Sequence, residues 1–494
     1  MNKTNIKFSK FDYADIALLV LSMFTAYIGL VSCVRKGFYN GMLTALITVW
    51  ILCILMCVLN LKKRILLLLF DCCIFVFLIG RIFIPAVQGE AWWNYYGLES
   101  NIFAVTAIII SIISMEVGVL FTEMFYKLRE NRRGVKLPVK KDHKELLIIS
   151  RLILIVCMIC YYYIEFSKLL WMNGRAYEEY YLSQPSFPFY ISFPASCMPI
   201  FLCIVLALLP SKMESFVWLV LYIVSTFPML KIGMRNSFVL SCIFAFVYYF
   251  LRDTIRKEKE KKWIGKIEKS LLLLAIPVLI LGMSMINYLR SSDEQNNNVS
   301  FSATELAVDL LYKQGTTYMT VQQGYNYMDK LPGNTNQKYM FGPIKEEILY
   351  NSIGQKIFKQ EDVGIGNSLK HAYQGHSFAH SLSYAVLGKD YISGNGRGSS
   401  YIIESYVDFG YGGVLVVSLI LGIMFSFMTY SFGKNWVITM CSLKIITTLM
   451  LLPRSETTAF LTFMVSYKFW VCVIGVFILS EIVKKVMDRR KVNN

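Results

Sequence analysis

The sequence predicts an all-α, polytopic membrane protein with about twelve transmembrane helices and one long, partly helical loop on the outer side. Three observations predict it. Hydrophobic residues make up 55% of the 494 residues and charged residues only 17%, with a mean hydropathy of +0.49, against about half and a quarter in soluble domains. The apolar residues fall into runs of roughly 20, the length a helix needs to cross the hydrocarbon core. Lysine and arginine gather in alternate loops, which marks a fixed orientation.

The runs place spans near 14–34, 42–61, 65–87, 102–121, 146–165 and 190–209, a shorter pair near 215–230 and 236–251, and four more near 270–289, 412–430, 435–452 and 457–481. The chain thus divides into spans one to nine with short loops (1–289), a loop or cap (290–411) and the last three spans with a tail (412–494). The first run is too long for a signal-peptide core, and no small-residue cleavage site precedes Arg35 and Lys36. With twelve spans both termini share a side. That side collects 29 Lys and Arg, and the short loops opposite collect seven. The termini are therefore expected in the cytoplasm. The net charge of +17 is mostly this topology signal. It requires no nucleic-acid partner and suits contact with anionic lipid headgroups.

The cytoplasmic loops near 122–145 and 252–269 are short and contain no G-x-x-x-x-G-K-[ST] phosphate loop, which argues against nucleotide chemistry within the chain. The loop 290–411 carries ten basic and twelve acidic residues, so it is no electrostatic anchor. Helical pieces are expected near 303–313, 316–330 and 342–352, with turns at Gly364–Asn367 and Gly394–Gly398. All twelve cysteines fall in or beside apolar runs, so the loop forms no disulfide. Cys157 and Cys160 have redox-motif spacing, but in an uncharged apolar helix they read as packing.

Arginine near the outer surface is the most informative signal for chemistry. Arg235 lies between the two short spans, in a turn expected to dip below the surface; Arg454 follows Pro453; Arg81 lies near the outer end of the third span. Arginine at membrane depth costs about 2.5–3.5 kcal/mol and normally faces a partner or a watery cavity. Guanidinium groups bind phosphate in a bidentate way, so two or three converging would suit a diphosphate. Snorkelling to headgroups is the alternative for each.

The second signal is Gly394–Gly413. A Gly-rich turn runs into Ser399 and Ser400, both good N-cap residues, and then a helix that sets Tyr401, Glu404 and Asp408 on one face. Free N–H groups at its start and the charge of Arg397 suit an anion. Glu404 could equally complete a capping box. The third signal is histidine: His371, His376 and His380 are three of the chain's four. Their spacing is loose for zinc on one helix face, and no cysteine joins them, so a general base or a donor to sugar hydroxyls fits better than a metal. Arg175–Tyr181, with Tyr177, could stack sugar rings but reads more readily as an interfacial aromatic belt.

These residues resemble the Wzy-type polymerases of O-antigen and capsular polysaccharides. The resemblance rests on a His-containing segment from His376, a glycine turn, the run from Glu404 to Gly413, Gly233-Met-Arg235, and Pro453-Arg454-Ser455. The motifs cover about 50 residues, while the topology matches along the whole chain. The resemblance implies a GT-C-like bacterial inner-membrane glycosyltransferase. It would transfer a growing glycan from undecaprenyl diphosphate to a new lipid-linked repeat unit on the outer face, without nucleotide sugar, cofactor or metal. Glu404, His376, His380 and Asp408 would then be catalytic candidates, and Arg235, Arg454, Arg397 and Arg81 would bind diphosphate. Arg175, Tyr177 and Tyr401 would meet glycan. Chain-length regulator and flippase proteins are implied partners. A lipid-linked oligosaccharide flippase and a polysaccharide ligase are the alternatives. A transporter would be expected to show two similar halves and a polar central path, and neither is visible.

Overall fold

A computed structural model describes residues 10–94, 97–133, 143–175, 185–256, 261–266, 268, 270, 308, 311–333, 337–351, 353–361, 363, 364 and 366–493. Among these the chain is helical, with no strand. The membrane part begins with α1 (Lys10–Lys36), α2 (Tyr39–Leu59), α3 (Leu61–Ile74), α4 (Gly80–Val87), α5 (Leu98–Arg133), α6 (Lys144–Trp171), α7 (Phe189–Ala207), α8 (Lys212–Ser225), α9 (Phe227–Ile232) and α10 (Arg235–Thr254). The long loop holds α11 (Thr316–Tyr327), α12 (Gly342–Leu349), α13 (Gly354–Phe358), α14 (Leu369–Gln374), α15 (Phe378–Leu387) and α16 (Lys389–Ile392). The chain closes with α17 (Tyr401–Ser431), α18 (Trp436–Leu449) and α19 (Tyr467–Asn493).

Nine helical stretches among the described residues are long and apolar enough to cross a membrane. Eight match the predicted spans up to residue 251, and the other is α17. The span predicted at 270–289 and most of the helix predicted at 303–313 lie outside the described residues. Exposed apolar side chains such as Val20, Phe24, Leu152 and Ile159 give the bundle a lipid-facing surface.

Three expectations change. The pair near 215–251 is not short: Lys212–Ile232 and Arg235–Thr254 run 21 and 20 residues. The first starts earlier than its apolar run because Ser211 caps it, accepting from the Glu214 N–H at 3.3 Å. It then continues through α9 with Pro228 in the first turn, where the missing N–H costs nothing. Arg235 therefore needs no turn sunk between short arms. The tenth span begins at Tyr401 rather than near 412, because Ser400 caps it and the helix is only kinked at Phe409 and Gly410 (φ +61°). The eleventh and twelfth are interrupted. α18 is 14 residues long, and Pro453 and the polar residues after it form 3-10 turns at Leu452–Arg454 and Ala459–Met464 before α19 starts.

Most of the core forms one apolar cluster, and its longest helix contact joins α5 to α17. Glycine permits this approach: a Cβ on Gly118 would lie 2.3 Å from the Leu419 carbonyl oxygen, and one on Gly422 2.2 Å from that of Met115. Gly118→Val or Gly422→Val is expected to push the helices apart and destabilise the protein by about 1–3 kcal/mol, read as a lower thermal midpoint in detergent. Arg64, counted among the cytoplasmic loop charges, is in fact buried. Its guanidinium forks to both oxygens of Asp15 and of Glu123 at 2.7–2.9 Å, joining α1, α3 and α5.

Candidate functional site

The site is assembled by a turn that the membrane helices present to the long loop. Pro453 lies in a 3-10 turn beyond α18, and Arg454, Glu456, Thr457 and Thr458 each bond a residue outside that turn. Arg454 Nη1 donates to Gln314 Oε1 at 3.0 Å, with its guanidinium 5.9 Å from the Phe77 ring. Glu456 Oε1 accepts from Ser377 Oγ at 2.5 Å and from the Ala379 N–H at 3.4 Å, at the start of α15. Thr457 donates its N–H and its hydroxyl to Glu404 Oε2 at 2.8 and 2.7 Å. Thr458 Oγ1 donates to the Met340 carbonyl at 2.7 Å. A cation, an acid and two clamps thus fall within five residues.

Arg81 joins Arg454 on the same strip of loop. A π-helical turn at Phe75–Ile79 leads into α4 and sets its register. Arg81 Nη1 donates to the Tyr312 carbonyl at 3.0 Å, and its guanidinium lies 3.7 Å from the Tyr312 ring centre. Gly315 lies against it: a Cβ there would come within 2.7 Å of the Arg81 Cβ. Arg81, Trp92, Asn101, Tyr312, Tyr318 and Gln322 line a cavity of 150 Å³. Asn101 Oδ1 holds that wall by accepting from Tyr318 Oη at 3.0 Å and Gln322 Nε2 at 2.8 Å.

Arg235 and Arg175 lie on two elements that pack together through apolar side chains. Met172 packs with Met229 and Ile232, which brings the end of α6 to the α9–α10 junction. Gly233 (φ +100°) turns the chain there, Arg235 opens α10, and Arg175 lies 4.2 Å from the Trp171 ring centre. Tyr177 lies outside the described residues.

The histidines gather around Glu346. The rings of His371 and His380 stack with centres 3.6 Å apart. His371 Nε2 lies 3.6 Å from Glu346 Oε1, and the same oxygen accepts the His376 N–H at 2.8 Å. His380 Nδ1 meets Tyr391 Oη at 2.8 Å. Burial pulls the His371 pKa down, but the Glu346 carboxylate outweighs it and holds His371 above the ordinary histidine range. The opposite applies to the others. Burial and the His371 charge push His380 down to about 4. Burial and Lys345 push the His376 pKa below the ordinary histidine range, which favours its neutral imidazole. His376 Nδ1 is buried with no hydrogen-bond partner, and its ring lies 6.2 Å from that of Tyr350. Gly342 makes room for this loop: a Cβ there would fall 2.1 Å from the His376 carbonyl oxygen.

The residues predicted from α17 are ties rather than open groups. Ser400 Oγ caps the helix by accepting the Ile402 N–H. Glu404 does not complete a capping box. It is fully buried, with Oε1 taking the Ser399 hydroxyl at 2.5 Å and Oε2 held by Thr457. Asp408 accepts the Tyr339 and Met340 N–H groups at 3.0 and 2.8 Å, capping the turn that leads into α12. Tyr401 has no exposed surface. Its hydroxyl sits 2.6 Å from Ser111 Oγ and its ring packs near Phe70, which leaves no face for a sugar. Arg397 is fixed through its backbone to Ser383 and Thr320, with Nε buried and without a hydrogen-bond partner.

A family model described as O-antigen polysaccharide polymerase Wzy matches residues 14–486. The chain belongs to this family. No curated protein and no solved structure matches it. Members polymerise O-antigen repeat units and work on lipid-linked oligosaccharides in membranes. In this Wzy chain the sequence motifs include the segments at His376–His380 and Pro453–Ser455, but Glu346 and Glu456 carry no motif of their own. Glu346 is singled out by its contacts with His371 and His376, and Glu456 by its bonds to Ser377 and Ala379 on either side of Phe378. Asp408→Ala is expected to orphan two backbone N–H groups and cost about 1–2 kcal/mol. The loop at 337–341 should then become sensitive to limited proteolysis, while Asp408→Asn retains part of the protection.

Proposed function

We propose that this Wzy chain joins two lipid-diphosphate-linked glycans at the outer face of the bacterial inner membrane, with both termini in the cytoplasm. The acceptor is a single repeat unit and the donor carries the growing chain on undecaprenyl diphosphate. An acceptor hydroxyl attacks the anomeric carbon of the donor. The carbon–oxygen bond to the diphosphate breaks, the lipid diphosphate leaves, and a base takes the hydroxyl proton. The observation that carries this reading is that Arg454 and Glu456 lie two residues apart, their Cα atoms at most about 7 Å from each other, and that Glu456 holds Ser377 and the start of α15, directly after His376.

Each group then has a role. Arg81 and Arg454 stabilise charge on the leaving diphosphate, so the transfer itself needs no metal. His376 is the base: burial and Lys345 favour its neutral imidazole, and Nδ1 has no hydrogen-bond partner within the protein. Glu346 and His371 hold it by their ion pair, with His380 stacked against His371. Glu404, Asp408 and Glu456 are positioning residues. Both substrates carry a diphosphate, and Arg175 and Arg235 suit the other one. Arg397 adds positive charge beside α15. Flippase and chain-length regulator proteins would supply the substrate and limit the product.

Gel analysis of surface glycan in a deletion strain tests the reading. Loss of long chains with one repeat unit retained supports polymerisation. Complete absence of the unit on the outer face favours a flippase. Purified protein in vesicles separates the two directly, since a flippase moves the lipid-linked unit without extending it.

A further inference from the structure

We propose that Cys53, Cys57, Asp71 and Glu116 form a buried site for a thiophilic divalent cation such as zinc, apart from the glycan-joining site. Cys53 and Cys57 are one turn apart on α2, so both sulfurs project from the same face. Asp71 comes from α3 and Glu116 from α5. A ligand atom from each of Cys53, Cys57 and Asp71 lies within 4.8 Å of the others; Glu116 is not within that group, and its charge interacts with Asp71. Ligands of a tetrahedral zinc ion are about 3.3–3.8 Å apart, so a small contraction brings the first three onto an ion, and Glu116 would swing in as the fourth.

The second observation concerns what is missing around the carboxylates. Asp71 is 0% and Glu116 1% exposed. Asp71 Oδ2 takes the Cys53 S–H at 2.8 Å, but Asp71 Oδ1 and both oxygens of Glu116 are buried with no hydrogen-bond partner. Three unsatisfied carboxyl oxygens inside a membrane bundle are costly, and groups of this kind mark functional positions. Two sulfurs and two carboxylates form a soft, anionic donor set that selects zinc-like ions over magnesium or calcium. The Arg64 guanidinium, bonded to Asp15 and Glu123, adds a positive charge whose field reaches Cys57 and Glu116.

The ion would fasten α2, α3 and α5 to one another. Tyr401 at the head of α17 rests on Phe70 of α3 and Ser111 of α5, so the clamp would set the platform under the loop. Its role is structural and no step of the transfer passes through it.

The test uses tag-free full-length protein in detergent, loaded with Zn²⁺, desalted and analysed for metal, and in parallel titrated with Co²⁺. Roughly one ion per chain and a thiolate-to-cobalt charge-transfer band are expected. Both should vanish in the Cys53→Ser/Cys57→Ser double variant. Asp71→Asn, nearly isosteric, should weaken binding at least about tenfold and covers the case in which the double variant does not fold. A wild-type protein without the sulfur band, whose carboxyls are then neutralised by protons alone, overturns the proposal. So does full metal content in the double variant, or wild-type affinity in Asp71→Asn.

Discussion

Arg454→Ala is expected to leave single repeat units on the lipid carrier and to reduce turnover about 10²–10³-fold. That is the range for removing one fixed charge from a developing anion in a site closed to water. Arg454 is held by Gln314 and lies near the Phe77 ring, so it is set in place before substrate arrives. Arg454→Lys keeps the charge but loses the fork, and an intermediate activity is expected. Arg81→Ala should behave similarly, because Arg81 grips Tyr312 two residues from Gln314. If the two arginines serve one diphosphate, the double variant will fall short of the product of the single effects. Chain-length profiles on gels and single-turnover rates in vesicles check this. Full-length polymer from Arg454→Ala would remove the diphosphate role, while normal protein levels in the membrane fraction exclude a folding defect.

His376→Ala is expected to slow transfer about 10²–10⁴-fold, the usual contribution of a positioned base. The pH dependence has a defined sign. A base must be unprotonated, and burial and Lys345 push the His376 pKa down from the ordinary histidine range. Activity should therefore persist through neutral pH and fall on the acid side, below the ordinary histidine range. Glu346 and His371 set a second window. Burial alone would raise Glu346, but His371 and the His376 N–H hold it lower. The stability it contributes is present above the usual carboxylate range and lost as pH falls through its lowered pKa. His371 is raised, so its contribution is present below the usual histidine range and lost as pH rises through its raised pKa. Glu346→Gln should narrow the active range without abolishing transfer. A flat acid limb in wild type, or one unchanged in a partly active His376 variant, would rule out His376 as the base.

The membrane spans were legible because each is a local property: twenty apolar residues must satisfy their own backbone inside lipid, and only a helix does so. The break near 453–466 was less legible, since its residues are nearly as apolar as their neighbours. Only Pro453 and the contacts of Glu456 and Thr457 turn it into a loop. The glycine turns at Gly364–Asn367 and Gly394–Gly398 were predictable from composition, and Gly364, Gly366, Gly394 and Gly398 all have positive φ.

By itself the sequence determined the membrane class, most of the helices, the arginines and histidines worth attention and the resemblance to the Wzy polymerases, because hydropathy, glycine turns and short motifs are written in neighbouring residues. Tertiary structure alone decided which of those residues meet. It set Arg81 with Arg454 on the Tyr312–Gln314 strip, Glu346 with the histidines, and Glu404 and Asp408 as ties. It also moved Tyr401 into the core. The physical reason is separation along the chain. Arg81 and Arg454 are hundreds of residues apart, and nothing local specifies which loop oxygen each guanidinium finds once the helices have packed. The sequence marks residues 290–411 as a loop or cap. Its floor is the short turn from Pro453 to Thr458, where the membrane bundle and the loop are fastened together.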